Sequence, residues 1–254
     1  MSEREAFVRG FHARNPGITG KAFGRAGSYP RMAARVPPAA RVLDLACGDG
    51  LLLAHLPPTA VGVDFSREEL AAAVASPLRM VQGRAQALPF AAASFDACAC
   101  HLGFMLFDDI ETVVGELTRV LVPGGPFLAL LGGGPSATGD DAFHRFLTIL
   151  GRHTPSAPRL GDHRARTEEG WRILFPGWGA TAFERWELDL GGSFDEVWAF
   201  LGASYEVPIA RAPEIRAELA AATADIADAT GRIPCAAVTW LARAVRPRGS
   251  HGGP

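Results

Sequence analysis

The chain has 254 residues, 48% hydrophobic and 20% charged, a composition that suits one packed domain and excludes wholesale disorder. A formal net charge of −2, with scattered basic residues, excludes the electropositive footprint that a nucleic-acid backbone requires. Four cysteines, Cys47, Cys98, Cys100 and Cys235, lack the C-x-x-C spacing of zinc or redox sites and read as reduced thiols of a cytoplasmic protein.

Residues 1–40 precede the first strand-like run and are expected to form a helical cap segment. Their opening, "MSEREAFVRG", carries charge where a signal peptide needs an apolar centre, and no run reaches the ~18 apolar residues of a membrane span. The expectation is therefore no membrane partner. "AGSYPRMAARV" leads into the core and sets Tyr29 just ahead of the first strand.

From Arg41 onward, strand-like and helix-like runs alternate for about a hundred residues, as parallel βαβ units do. Strands are predicted at Arg41 to Ala46, Ala60 to Asp64, Arg79 to Gly83, Phe95 to Cys100 and Phe127 to Leu131. After the first strand, "LLLAHL" reads as the opening of an apolar helix. A helix from Ser66 to Ala75 starts on a serine N-cap, with Glu69 placed three residues on for a capping box. Ile110, Val113, Val114, Leu117 and Leu121 form a helical stripe, and Asp108-Asp109 read as its start.

Beyond "LLGGG" the pattern changes. Helices are predicted at Asp140 to Gly151, Thr167 to Leu174, Phe194 to Leu201 and Glu214 to Ala229. Strands are predicted within "TAFERWELDL" and "CAAVTWLARAV". The expected architecture is a Rossmann-like α/β fold: a seven-stranded, mostly parallel sheet with helices on both faces and a helical lid. One domain is expected over residues 41–246, with a flexible tail at 247–254.

The informative stretch is "RVLDLACGDG", where a buried strand breaks into a glycine-rich turn. Such a turn brings backbone N–H groups close to a ligand. A dinucleotide fingerprint, G-x-G-x-x-G, begun at Gly48 and Gly50 would put Leu53 at its third glycine, which argues against a nicotinamide cofactor. The acid-x-small-x-Gly-x-Gly pattern of Asp44, Ala46, Gly48 and Gly50 instead resembles class I S-adenosylmethionine-dependent methyltransferases. "VGVDFS", "GRAQALPF", "SFDACACHLGFMLFDD" and "ELTRVLVPGGPFLAL" match further segments of that family in order, over residues 41 to 132.

The resemblance implies S-adenosylmethionine as cofactor. Asp44 and Ala46, with Cys47, Gly48 and Gly50, would form the loop around its methionine part, and Tyr29 would reach the methionine carboxylate. Asp64, 20 residues after Asp44, would accept hydrogen bonds from the ribose hydroxyls, and Phe65 would cover the adenine. Ala85 and Gln86 would lie along the adenine in a loop where Arg84 replaces the acid found in many relatives. Cys47 reads as a small buried filler rather than a nucleophile, since no cation adjoins it.

His101, at the carboxyl end of the fourth strand, is a candidate general base or cofactor contact, with a structural role as the alternative. Tyr205 is a second catalytic candidate, in a segment where Trp198 and Ser204 line an acceptor pocket or, for Trp198, join the core. His144, His153 and His163 lack metal-ligand spacing, so no metal is expected. Lysine occurs only at Lys21, a bias resembling GC-rich bacterial coding. The expected partner is a small-molecule methyl acceptor of specialised metabolism, and the expected state is a monomer or homodimer. Two other readings stay open: intramolecular cyclisation of the cofactor to azetidine-2-carboxylate with release of methylthioadenosine, and a non-catalytic cofactor-binding sensor.

Overall fold

The apolar run after Arg41 forms β1 (Val42–Leu45), an interior strand of the sheet. It pairs in parallel with β2 (Val61–Asp64) on one side and β4 (Ala97–His101) on the other. Outside these lie β3 (Met80–Gln82) beyond β2 and β5 (Pro126–Pro135) beyond β4, both parallel. The last strand, β7 (Ala236–Val245), inserts antiparallel between β5 and β6 (Gly179–Asp189), giving the order β3-β2-β1-β4-β5-β7-β6. Strand order reverses between β1 and β4, so their carboxyl ends diverge into a crevice. The computed structural model describes residues 2–38, 41–73, 78–136, 139–154 and 160–248.

The helices among these residues are α1 (Glu3–Arg14), α2 (Ile18–Phe23), α3 (Ser28–Ala33), α4 (Arg67–Ala71), α5 (Ile110–Val120), α6 (Ala142–His153), α7 (Glu168–Leu174), α8 (Phe194–Leu201) and α9 (Ala212–Thr223). Side chains alternate along each central strand. On β5, Phe127, Ala129 and Leu131 join one apolar cluster with Val113 and Leu117 of α5 and Trp171 of α7, whose ring stacks on Phe127 at 5.6 Å. Leu128 and Leu130 face the opposite cluster, with Met32 of α3, Leu52 and Trp186. A third cluster joins α6, α8 and α9 to Ala22 of α2 and to Leu188 and Ala237, near the far end of the β6/β7 pair. Residues of α6 and α8 and of the N-terminal segment line the cavities at the carboxyl edge of the sheet.

Several elements differ from expectation. The helix after the glycine turn is only a 3-10 turn, Leu53–His55, because Pro57 and Pro58 stop the chain before an α-helix can propagate. The Ser66 hydroxyl accepts from the Glu69 N–H as an N-cap should, but the reciprocal half of the capping box is missing, since the Glu69 carboxylate turns away toward α1. A complete box forms instead at Ser193 and Glu196, opening α8. The helix expected to Ala75 ends at Ala71, and residues 74–77 lie outside the described set. α9 stops at Thr223 rather than Ala229, and further along Asp228 takes the N–H groups of Thr230 and Arg232 into a local turn. β5 runs to Pro135, four residues longer than expected, because β7 pairs along it past a register shift at Gly132 to Gly134. Most of the expected tail, 249–254, lies outside the described residues. None of the described helices is long and apolar enough to cross a membrane.

Candidate functional site

A cleft enclosing about 1070 Å³ of empty space, part of it open to solvent, lies at the carboxyl ends of β1, β2 and β4. Its floor is the turn after β1. Asp64 holds that turn in place: its Oδ2 accepts the Gly48 N–H at 2.9 Å and its Oδ1 the Ser66 N–H at 2.8 Å. Gly48 has φ of 54°, a left-handed conformation that favours glycine. Ala46 at φ 56° and Leu102 at φ 59° adopt the same conformation without being glycine, one just past β1 and the other just past β4. Two of the four non-glycine residues in this conformation among the described residues thus flank the cleft.

All the sequence-predicted site residues line this cleft except Gly50. Gly50 shapes the turn from beneath: at φ 79° it donates its N–H to the Cys47 carbonyl, and a Cβ there would meet Leu78 at 2.6 Å. Cys47 is buried, and a Cβ on Gly62 would lie 2.7 Å from its sulfur. It fills the space between the strands, and burial with the nearby Asp44 charge pushes its thiol far up from the ordinary range. Gln86 spends its amide on the Asp108 carbonyl, at 2.8 Å.

The cleft is electronegative. Asp44 is fully buried, yet neither carboxylate oxygen has a hydrogen-bond partner. Burial pushes it well above the usual carboxylate range and the Asp64 charge adds to this, while the Leu53 N–H, short of a hydrogen bond, offsets a part. Asp64 and Asp49 are raised too, mainly by burial and in part by the Glu69 charge, although backbone N–H groups pull both back. A buried charge without a partner is costly, and a cation placed in the cleft would relieve it.

His101 sits at the end of β4, 7% exposed. Its Nε2 lies 2.9 Å from the Ser28 hydroxyl, its ring stacks on Tyr29 at 3.9 Å, and its Nδ1 has no partner. Burial pulls its pKa down to about 3, so the imidazole is neutral at ordinary pH and a weak proton acceptor. Burial pushes the Tyr29 phenol up, with Asp49 and Asp44 adding to it, so that group stays protonated.

The far wall comes from residues that sequence reasoning missed. Helix α1 crosses the cleft and contributes Glu5, Val8 and His12. Arg84 and Glu5 form a two-pronged ion pair, at 2.8 and 2.7 Å, that ties α1 to the loop after β3. His12 bonds Glu69 of α4 through Nδ1, at 2.6 Å, and the Tyr205 hydroxyl through Nε2, at 2.7 Å. No local pattern announces these contacts, since His12 is 57 and 193 positions from its partners. The only legible hint was Arg84, a cation where an acid was expected.

A second cavity, of about 1590 Å³ with some open solvent, adjoins the first and shares Thr19, Leu102, Leu106 and Tyr205 with it. Its walls are mostly apolar, with Phe11, Phe23, Phe143, Met105 and Trp240 prominent. Ser204 lines it as expected, whereas Trp198 packs against the third apolar cluster. No group of three or more metal-ligating side chains occurs among the described residues.

A family model described as "Methyltransferase domain" matches residues 43–129. A demethylmenaquinone methyltransferase of Thermus thermophilus is 42% identical over 101 residues, covering 35% of this chain and 46% of that protein. One from Mycobacterium bovis is 30% identical over 178 residues, covering 64% of this chain and 75% of that protein. The chain thus spans about half the length of the first of these relatives and three quarters of the second. Among solved structures, a phosphoethanolamine N-methyltransferase 2 from Haemonchus contortus in complex with S-adenosyl-L-methionine superimposes with a TM-score of 0.55 at 19% identity. That match covers 94% of this chain and 60% of that one.

Proposed function

The chain belongs to the class I S-adenosylmethionine-dependent methyltransferases, and on that premise we propose that it moves the cofactor's methyl group to a small-molecule acceptor seated in the second cavity. The observation that carries the reading is the Asp44 carboxylate, buried and unpartnered at the wall of an acid-lined cleft. S-adenosylmethionine brings an ammonium and a sulfonium, the cations such a cleft asks for, and supplies an activated methyl group.

In this reading Asp44 holds the ammonium. Asp64 keeps lone pairs free for the ribose hydroxyls while its backbone bonds fix the turn. Phe65, Ala85 and Gln86 flank the adenine, and Tyr29 meets the carboxylate end. His101, neutral and held by Ser28 and Tyr29, positions the cofactor end of the cleft rather than accepting a proton. Methyl transfer gains chiefly from holding donor and acceptor in line, which two adjoining cavities with shared walls permit. A free-standing acceptor of specialised metabolism fits this layout.

Thermal denaturation with ligands tests the cofactor assignment. S-adenosylmethionine and S-adenosylhomocysteine at 100 times their dissociation constants should each stabilise the fold by about 2.7 kcal/mol, and NAD should not. A shift with NAD alone would sink the reading. Nucleoside analysis then separates reaction types: S-adenosylhomocysteine formed only with an acceptor supports methyl transfer, and methylthioadenosine formed from the cofactor alone means cyclisation.

A further inference from the structure

The two cavities meet at the Tyr205 side chain, which lines both. Its hydroxyl is one end of a chain of hydrogen bonds: Tyr205 Oη to His12 Nε2 at 2.7 Å, then His12 Nδ1 to Glu69 Oε1 at 2.6 Å. Glu69 is itself fixed, accepting the Gly17 N–H on Oε2 at 2.8 Å. A carboxylate only accepts, so His12 carries its ring proton on Nδ1 and offers the Nε2 lone pair to the Tyr205 O–H. The chain therefore points one way, from the cavity seam to a carboxylate 3% exposed. Phe11 packs on the Tyr205 ring at 4.6 Å and holds it in register.

Resting on the methyl-transfer reading, we propose that Glu69, His12 and Tyr205 form a proton relay, and that the acceptor is a phenol-like hydroxyl on an apolar body. Methyl transfer to an oxygen leaves a proton to be removed. The acceptor's O–H bond breaks and its proton goes to Tyr205 Oη, while the Tyr205 proton goes to His12 Nε2, leaving an imidazolium against Glu69. The ionised acceptor oxygen then forms the bond to the methyl carbon, and the electrons of the broken carbon–sulfur bond stay on sulfur. A phenolic acceptor is an aryl hydroxyl like Tyr205, and because burial weakens the acidity of the Tyr205 phenol the first transfer runs from the acceptor to Tyr205 Oη. An aliphatic alcohol holds its proton too tightly for the same chain. The aromatic walls of the second cavity suit a ring. Burial and the charges of Glu69 and Asp64 push the Tyr205 phenol up, so it rests protonated, with its O–H directed to the His12 Nε2 lone pair and its oxygen able to accept.

The test uses the whole chain saturated with S-adenosylhomocysteine and two chromogenic phenols, para-nitrophenol and umbelliferone, at a pH below their free pKa values. Binding should raise the phenolate absorbance in the wild-type protein. Tyr205→Phe keeps the ring packed on Phe11, and His12→Gln keeps a hydrogen bond but accepts no proton. Both should bind the phenols and lose the phenolate signal. Phenols bound without ionisation by the wild type, or ionised equally by His12→Gln, would overturn the relay. Failure of both phenols to bind would overturn the acceptor class. Calorimetry with S-adenosylhomocysteine alone keeps the premise separate: no binding there sinks the methyl-transfer reading and this proposal with it.

Discussion

Asp44 and Ala46, two positions apart, are both costly to the empty fold, and both line the cleft. Ala46 holds φ of 56°, a conformation costing roughly 1 to 2 kcal/mol for a residue with a Cβ. Ala46→Gly should remove that strain while adding about 0.5 to 1 kcal/mol of unfolded-state entropy, so a small rise in melting temperature is expected. A clear fall would mean that the alanine methyl packs usefully against the cleft. His101 is costly in another way. Its pKa lies at about 3, below the ordinary 6.5, so folding disfavours its protonation; its contribution is complete above pH 6.5 and is lost as pH falls toward 3. The empty wild-type protein should lose about 1.4 kcal/mol per pH unit below 6.5 through this group. His101→Asn should lack that slope when both are unfolded in urea across the range, and an identical slope would show that His101 is not desolvated.

Helix α1 walls one side of the cleft, held by the Arg84–Glu5 ion pair, the His12 bonds to Glu69 and Tyr205 and the Phe11–Tyr205 ring contact. The Arg84–Glu5 pair is exposed on the arginine side, so by itself it contributes little to global stability. It is one of the contacts that fix where α1 lies. Arg84→Glu should place two acids against each other, loosen α1 and weaken cofactor binding several-fold with little change in melting temperature. Hydrogen exchange over residues 3–14 should rise to match, and unchanged exchange would show that α1 is held elsewhere. The legibility of the sequence divides along the same line. Strands such as β4 and β5 were readable as short continuous apolar runs, a local pattern that arises because alternate side chains are buried in one core cluster or the other. The loops after β1, β2 and β4 were readable because Asp44, Asp64 and His101 sit at fixed distances along single units. Glu69 was misread as half of a capping box because local spacing permits that bond, while tertiary contact with His12 and Gly17 wins it. His12 was missed altogether, since nothing within α1 indicates that one of its faces meets α4 and the segment after α8. The 3-10 turn after β1 shows two prolines overriding an apolar run.

At the scale of the molecule, burial joins acids from the ends of β1 and β2 and the turn between them into one negative wall, and the fold is destabilised by what makes it receptive. Asp44, Asp49 and Asp64 all stand above the usual carboxylate range, chiefly through burial. A carboxylate raised on folding contributes stability at low pH and loses it as pH rises through its folded value. Surface acids such as Asp96, Asp140 and Asp162 act in the opposite sense, lowered mainly by hydrogen bonds from arginines. The net pH profile therefore mixes both, and a difference between proteins is needed to isolate the wall. Asp44→Asn keeps the shape and removes the charge, so the empty variant should be more stable than the wild type, by a margin that widens as pH rises above the carboxylate range. The same variant should bind S-adenosylmethionine some 10- to 100-fold more weakly, the equivalent of losing about 1.5 to 3 kcal/mol from a hydrogen bond to a charged group. Saturating cofactor should reverse the order of stabilities, because its ammonium supplies the partner that Asp44 lacks and draws the wild-type carboxylate back down. Melting temperatures of both proteins, empty and loaded, across neutral and mildly acidic pH would show that crossing. If the loaded variant keeps its lead over the loaded wild type at every pH, Asp44 does not meet a cation, and the acid wall serves some purpose other than holding this ligand.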